Sequence, residues 1–146
     1  LGVGTIKNSN QIDKAVEAGA SFLITPGFTK KLSQYASSKD VLLIPGTQTP
    51  SEIMLASEQG HSLLKFFPAE LSGGISRLES YNAVFPDIKF IPTGGISEKN
   101  ASSYLRLDNV IAVGASALIP SELIRLNSWK EIEDRLTKLK TTYLIS

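Results

Sequence analysis

Lys65 stands in Leu63-Leu64-Lys65-Phe66-Phe67-Pro68, a run in which every neighbour is apolar. Moving a charged ammonium from water into such surroundings is costly. Two arrangements meet that cost. The stem can lie along apolar surface with its head in water. Alternatively, the amine is held in a low dielectric, where its pKa falls toward neutrality. A neutral amine attacks a ketone and forms an imine. The protonated imine is an electron sink, so a carbon–carbon bond two atoms away can break or form. This is class I aldolase chemistry, and it needs neither a metal nor an organic cofactor. The chain has no cysteine and one histidine, His61, which excludes cysteine-based and multi-histidine metal sites.

Thr93-Gly94-Gly95-Ile96-Ser97 is the second chemical feature. Two glycines at a strand-to-helix turn let backbone N–H groups approach an anion, and a helix opening at Ser97 adds its dipole. The same residues also suit a plain left-handed turn before a capped helix. Gly114-Ala115-Ser116 ends a later apolar run and forms a second turn of this kind. Glu70 can serve as an acid or base, or be a solvated loop carboxylate or a helix-start charge. Thr5 can hydrogen-bond a substrate carboxylate or cap the turn that follows it. Phe66 and Phe67 read as core and pocket wall. His61 reads as a surface residue before the lysine strand, and Trp129 as packing of the last helix.

Six short runs rich in Val, Ile, Leu and Phe must position these groups. They are Val3–Ile6, Phe22–Thr25, Val41–Ile44, Leu63–Phe67, Lys89–Ile91 and Val110–Val113. Several are apolar on successive residues, the pattern of parallel strands buried on both faces. Helical patterns lie between them: Ile12, Ala15 and Val16 before Gly19; Leu32, Tyr35 and Ala36; Ile75, Leu78 and Tyr81; and Ile132, Leu136, Leu139 and Tyr143. Thr49-Pro50-Ser51-Glu52 and Ser128-Trp129-Lys130-Glu131 have capping-box spacing. Strand midpoints step by about 20 to 25 residues, one βα unit each. The alternation predicts a single α/β domain over residues 1–146.

Six units fit an open doubly wound sheet, or a (β/α)8 TIM barrel lacking its first two βα units. The strand ends favour the barrel. Gly4-Thr5, Thr25-Pro26-Gly27, Pro45-Gly46-Thr47, Pro68-Ala69-Glu70, Pro92-Thr93-Gly94-Gly95 and Gly114-Ala115-Ser116 decorate nearly every carboxyl end. In a barrel that rim is the active-site face; a doubly wound sheet concentrates such decoration at one switch point. Six parallel strands cannot close such a barrel, so the segment alone is expected to aggregate or fold poorly. Leu1 is not an initiator methionine, and an amino-terminal piece is expected upstream.

Composition narrows the classes further. Of 146 residues, 42% are hydrophobic and 20% charged, which excludes an intrinsically disordered chain. Fifteen Lys and Arg against fourteen Asp and Glu give a net charge of +1, so no field invites nucleic acid or an anionic membrane. No apolar run approaches the roughly 20 residues of a membrane span, and no signal peptide is visible.

With Lys65-Phe66-Phe67-Pro68-Ala69-Glu70 followed by Phe90-Ile91-Pro92-Thr93-Gly94-Gly95-Ile96, the sequence resembles the 2-keto-3-deoxy-6-phosphogluconate (KDPG) / 4-hydroxy-2-oxoglutarate (KHG) aldolase family. Gly2-Val3-Gly4-Thr5, Ile24-Thr25-Pro26-Gly27 and Ile44-Pro45-Gly46 are similar to its other strand-end motifs, in the same order. The resemblance implies a (β/α)8 barrel, a cytoplasmic homotrimer that cleaves a 2-keto-4-hydroxy acid to pyruvate and an aldehyde. It implies that Lys65 is the Schiff-base lysine. By the same matching, Thr5 lies near the pyruvyl carboxylate, and Pro26 and Phe67 form pocket wall. Thr93 and Gly94 line the substrate site, and Gly95 and Ser116 belong to the region that holds a phosphate. The family's catalytic glutamate and carboxylate-binding arginine lie on an earlier strand and match nothing here, so no general base is assigned. Ala115 and Ala117 depart from the Gly and Trp of many members, changes that would loosen a phosphate site. Two other readings compete: another phosphate-binding barrel, of the thiamine-phosphate-synthase type, with Lys65 paired to a diphosphate; and a non-catalytic fragment or binding relic.

Overall fold

The structure is a computed structural model and describes residues 1–116 and 119–143. Its elements follow in the order β1 (Gly2–Val3), α1 (Ser9–Glu17), β2 (Phe22–Ile24), α2 (Lys30–Ser38), β3 (Leu42–Ile44), β4 (Gly46–Thr47), α3 (Pro50–Ser57) and β5 (Leu63–Phe66). A 3-10 turn (Glu70–Ser72), α4 (Gly74–Val84), β6 (Lys89–Pro92), α5 (Ala101–Leu105), α6 (Ser121–Arg125) and α7 (Trp129–Tyr143) complete the chain.

Local signals place the helix starts. The Asn8 side chain accepts from the Gln11 N–H at 3.0 Å, and Thr29 accepts from the Leu32 N–H at 3.3 Å. Thr49 and Glu52 form a reciprocal capping box, with Pro50 at the first helical position. Each such cap is worth about 1 kcal/mol.

All strand pairs are parallel, in the orders β1-β2-β3 and β4-β5-β6. The stretch Leu42–Thr47 joins the two sets. Leu42–Ile44 pair with β2, and Gly46-Thr47 pair with β5. The Lys65 N–H donates to the Pro45 carbonyl at 2.9 Å, across the join. Strands therefore neighbour one another in chain order without the reversal of a doubly wound sheet. Their carboxyl ends all lie at one edge.

Several strands were expected to be buried on both faces; β2, β5 and β6 alternate instead, whereas Leu43, Ile44, Pro45, Gly46 and Thr47 are buried at every residue. Leu64 and Phe66 of β5 and Phe90 and Pro92 of β6 are buried, whereas Leu63, Lys65, Lys89 and Ile91 are only partly covered. Leu64, Phe66 and Phe90 pack with Ile53 of α3, Leu78 and Tyr81 of α4, and Tyr104 of α5. Leu23 and Leu43 pack with Ile12 and Ala15 of α1 and Ala36 of α2. Helices cover one face only, and no closed barrel forms among the described residues.

Two expected elements differ. Val110–Val113 is not a strand but two isolated bridges, Phe90↔Val110 and Thr93↔Gly114. The Ile111 and Gly114 N–H groups, three residues apart, donate to the carbonyls of Phe90 and Pro92, two residues apart. One extra residue thus interrupts the ladder, as in a bulge. The helix expected from Ser97 begins only at Ala101. The Asn100 side chain accepts from the Ser97 N–H at 2.8 Å and donates to the Gly95 carbonyl at 3.1 Å. A side chain competing for these backbone groups favours a turn over a helix.

Candidate active site

The parallel register places Lys65 directly between Gly46 of β4 and Ile91 of β6. Pleating puts Leu64 and Phe66 on the helix-covered face, so Lys65 lies on the other. Burial pushes its ammonium below the ordinary value of 10.5. Its Nζ lies 4.5 Å from the centre of the Phe67 ring. Lys65 is half-buried, and the direction of its shift is that of a partly desolvated amine.

The neighbouring strand ends gather around this lysine. A Cβ on Gly46 would collide with the Pro26 carbonyl, so Pro26 packs against the residue beside Lys65. Only a glycine permits that approach. The Thr93 N–H donates to the Phe66 carbonyl at 2.9 Å, and the Ala69 N–H to the Thr93 carbonyl at 2.9 Å. A Cβ on Gly94 would lie 3.3 Å from the Phe67 ring and 3.3 Å from the Cα of Pro68. Gly94 and Gly95 have φ of 98° and 81°, the left-handed region that glycine enters freely. Lys65, Pro26, Phe67, Thr93, Gly94 and Gly95 therefore share one rim.

Thr5 and Ser116 stand at the two ends of that row. The Ile6 N–H donates to the Ile24 carbonyl at 3.1 Å, which sets Thr5 beside the strand leading to Pro26. Thr5 does not cap α1, since Asn8 does. It is exposed, with a φ of 62° that a β-branched residue rarely adopts. Ser116, also exposed, follows Gly114, which bridges Thr93. Ala115 packs at the margin of the larger core, and Ala117 lies outside the described residues.

Three other residues depart from expectation. Glu70 is not simply a solvated carboxylate: its Oε1 accepts a hydrogen bond from the hydroxyl of Tyr104, which is wholly buried. His61 is partly buried rather than a surface residue, its Nε2 2.7 Å from the Ser33 Oγ. Trp129 is 59% exposed rather than packed. Sequence reasoning missed Tyr104 altogether, because a tyrosine within a short helix carries no signal of its distant partner. Gly46 was visible only as one of several strand-end glycines.

A model of the KDPG and KHG aldolase family matches residues 1–135. The chain is 41% identical over 133 residues to a 2-dehydro-3-deoxy-phosphogluconate aldolase of Pseudomonas aeruginosa, covering 91% of this chain and 60% of that protein. It is 41% identical over 139 residues to the KHG/KDPG aldolase of Escherichia coli K12, covering 95% of this chain and 63% of that protein. The crystal structure of a KDPG aldolase from Legionella pneumophila, with pyruvate captured as a covalent carbinolamine, superposes with a TM-score of 0.87 at 42% identity. That match covers 92% of this chain and 65% of the other. The chain thus spans less than two thirds of the length of these relatives.

Proposed function

This chain belongs to the KDPG and KHG aldolase family, and from that premise we propose that it carries the Schiff-base half of a class I aldolase acting on a 2-keto-4-hydroxy acid. The observation that carries the reading is Lys65: an amine on a parallel strand, partly desolvated, at the rim formed by Pro26, Phe67 and the Thr93-Gly94-Gly95 turn. Pyruvate captured as a carbinolamine in the Legionella relative supports the same chemistry. The neutral amine adds to the C2 carbonyl and, with loss of water, forms an imine that is then protonated. The C4 hydroxyl gives its proton to a base, the C3–C4 bond breaks, and the aldehyde departs. The electron pair is held as an enamine. Protonation at C3 and hydrolysis release pyruvate and regenerate Lys65. No residue of this chain is assigned as the base; the family resemblance expects a glutamate on an earlier strand.

In this reading Thr5 holds the keto-acid carboxylate, and Pro26 and Phe67 wall the pocket. Thr93 and Gly94 line it. Gly95 and Ser116 receive the distal anion, which for KDPG is a phosphate. Residues 1–146 then form one domain, an arc of a (β/α)8 TIM barrel; the sequential parallel strand order supports this. Assembly as a homotrimer in the cytoplasm belongs to the same proposal. Among the described residues no helix is long and apolar enough to cross a membrane. Borohydride reduction of the full chain with pyruvate, followed by peptide mass mapping, tests the function. A reduced pyruvyl adduct on Lys65 is expected; an adduct elsewhere, or none, overturns it.

A further inference from the structure

We infer that Glu70, anchored by Tyr104, is a positioning residue that fixes the Gly94–Gly95 turn and so sets affinity for the substrate's distal end. The identity of that ligand rests on the aldolase reading above. The anchor itself stands on geometry.

Two backbone rungs tie the segment after the lysine strand to the glycine turn. The Ala69 N–H donates to the Thr93 carbonyl at 2.9 Å, and the Glu70 N–H to the Gly94 carbonyl at 3.2 Å. From there the Glu70 side chain runs beneath Gly95. A Cβ on Gly95 would collide with the Glu70 Cγ and lie 2.7 Å from its Cβ. At its far end the carboxylate accepts from the Tyr104 hydroxyl. A Cβ on Gly74 would lie 3.1 Å from that hydroxyl oxygen and 3.6 Å from the Glu70 Oε1. Glycines therefore flank this side chain at both ends, one at each of its contacts.

Tyr104 is a fixed point, fully buried in the larger core. Burial first, then the hydrogen bond and charge of Glu70, push its phenol above the ordinary range, so it remains a donor. The turn itself has no side chains at residues 94 and 95 to hold it. Its φ values of 98° and 81° leave it many alternatives, because glycine is so permissive. Contacts from outside must select one conformation; the Asn100 side chain supplies one at the Gly95 carbonyl, and the Glu70 methylenes and backbone supply the rest. Lys65 is held separately, by the pairing of its strand with Gly46 on one side and Ile91 on the other. Loosening the turn would thus misplace the amides offered to a distal anion while leaving the keto end at Lys65 intact.

The test uses Glu70→Ala, Glu70→Gln and Tyr104→Phe in the full chain, assayed with a phosphorylated 2-keto-4-hydroxy acid. Glu70→Ala and Tyr104→Phe should raise KM about tenfold with kcat little changed, the size of one lost hydrogen bond to a charged group. Glu70→Gln, whose amide oxygen still accepts, should restore most of the affinity. Borohydride trapping of pyruvate on Lys65 should be unaffected in all three. The amide NMR signals of Gly94 and Gly95 should shift in Tyr104→Phe, which reads the turn without any turnover. Unchanged KM and unchanged glycine signals in folded variants overturn the inference. So does a parallel loss of pyruvate trapping, which would mean general loosening. If the wild type itself traps no pyruvate, the aldolase reading fails, and the glycine signals still decide the anchor.

Discussion

The Lys65 amine and the Phe67 ring stand 4.5 Å apart at the end of one strand, and the ring and the burial around the amine bear on its protonation in opposite directions. A ring face favours the ammonium. Desolvation by the strand favours the neutral amine. Burial lowers the pKa of Lys65 from its ordinary value. The aromatic contact thus orients a nucleophile that burial keeps reactive.

The first prediction concerns pH. The rate of imine formation with pyruvate should rise as Lys65 deprotonates, with its midpoint below 10.5. Lys65→Arg stays cationic and cannot form the adduct. Its kcat should fall by on the order of a thousandfold or more, the usual scale for losing a covalent nucleophile. Stopped-flow kinetics from pH 6 to 11, read as a profile, check this; a midpoint at the free-lysine value counts against a desolvated amine.

A second prediction follows from linkage. Between the lowered pKa and 10.5 the unfolded chain binds more protons at residue 65 than the folded chain. The lysine therefore costs stability at neutral pH; that cost fades as pH rises from the lowered folded value and is gone above 10.5. Lys65→Met keeps the stem's apolar contacts and removes the charge. It should melt higher than wild type by calorimetry at pH 7 while losing all activity, a trade common at active sites. A lower melting temperature would contradict the low-dielectric environment.

Sequence legibility divides along physical lines. Lys65 was legible because a charge inside Leu63–Phe67 violates the local pattern, and Gly94-Gly95 because paired glycines after a strand announce unusual φ. The Thr49 cap was legible because its signal lies within four residues. The bulged path of Val110–Gly114 was not, since apolarity does not report a ladder's count of residues. The delayed start of α5 turned on one side chain, Asn100, bonding backward. The Glu70–Tyr104 and Ser33–His61 pairs span 34 and 28 residues. Such contacts are made by tertiary packing and leave no periodic trace.

Thr5 carries the third prediction. Its φ of 62° costs a β-branched residue on the order of 1–2 kcal/mol. A glycine adopts that conformation freely, though it loses more entropy on folding. Thr5→Gly should therefore leave stability within about 1 kcal/mol of wild type, yet raise the pyruvate concentration needed for half-maximal trapping at Lys65. Denaturant melts and trapping titrations separate the two effects. A variant that loses stability but captures pyruvate normally would show that the strained backbone serves the fold and not the ligand.

His61 carries the last, at the opposite end of the strands. Its Nε2 meets the buried Ser33 Oγ of α2 at 2.7 Å, and its ring meets Phe28 edge-on at 6.2 Å. Burial pushes its pKa below 6.5, with a hydrogen bond to the Leu43 backbone opposing more weakly. The folded state thus holds the ring neutral. Its contribution is complete above pH 6.5 and is lost as pH falls through the lowered folded value, because the unfolded chain takes up the proton first. Urea midpoints measured from pH 8 to 5 should decline across that window in wild type. His61→Gln, which cannot titrate, should start lower at pH 8 and decline less. Ser33→Ala should cost about 1 kcal/mol at pH 8, the net worth of one hydrogen bond. An undiminished acid slope in His61→Gln would assign the titration to a carboxylate instead, and the imidazole would then be only a packing group between α2 and β5.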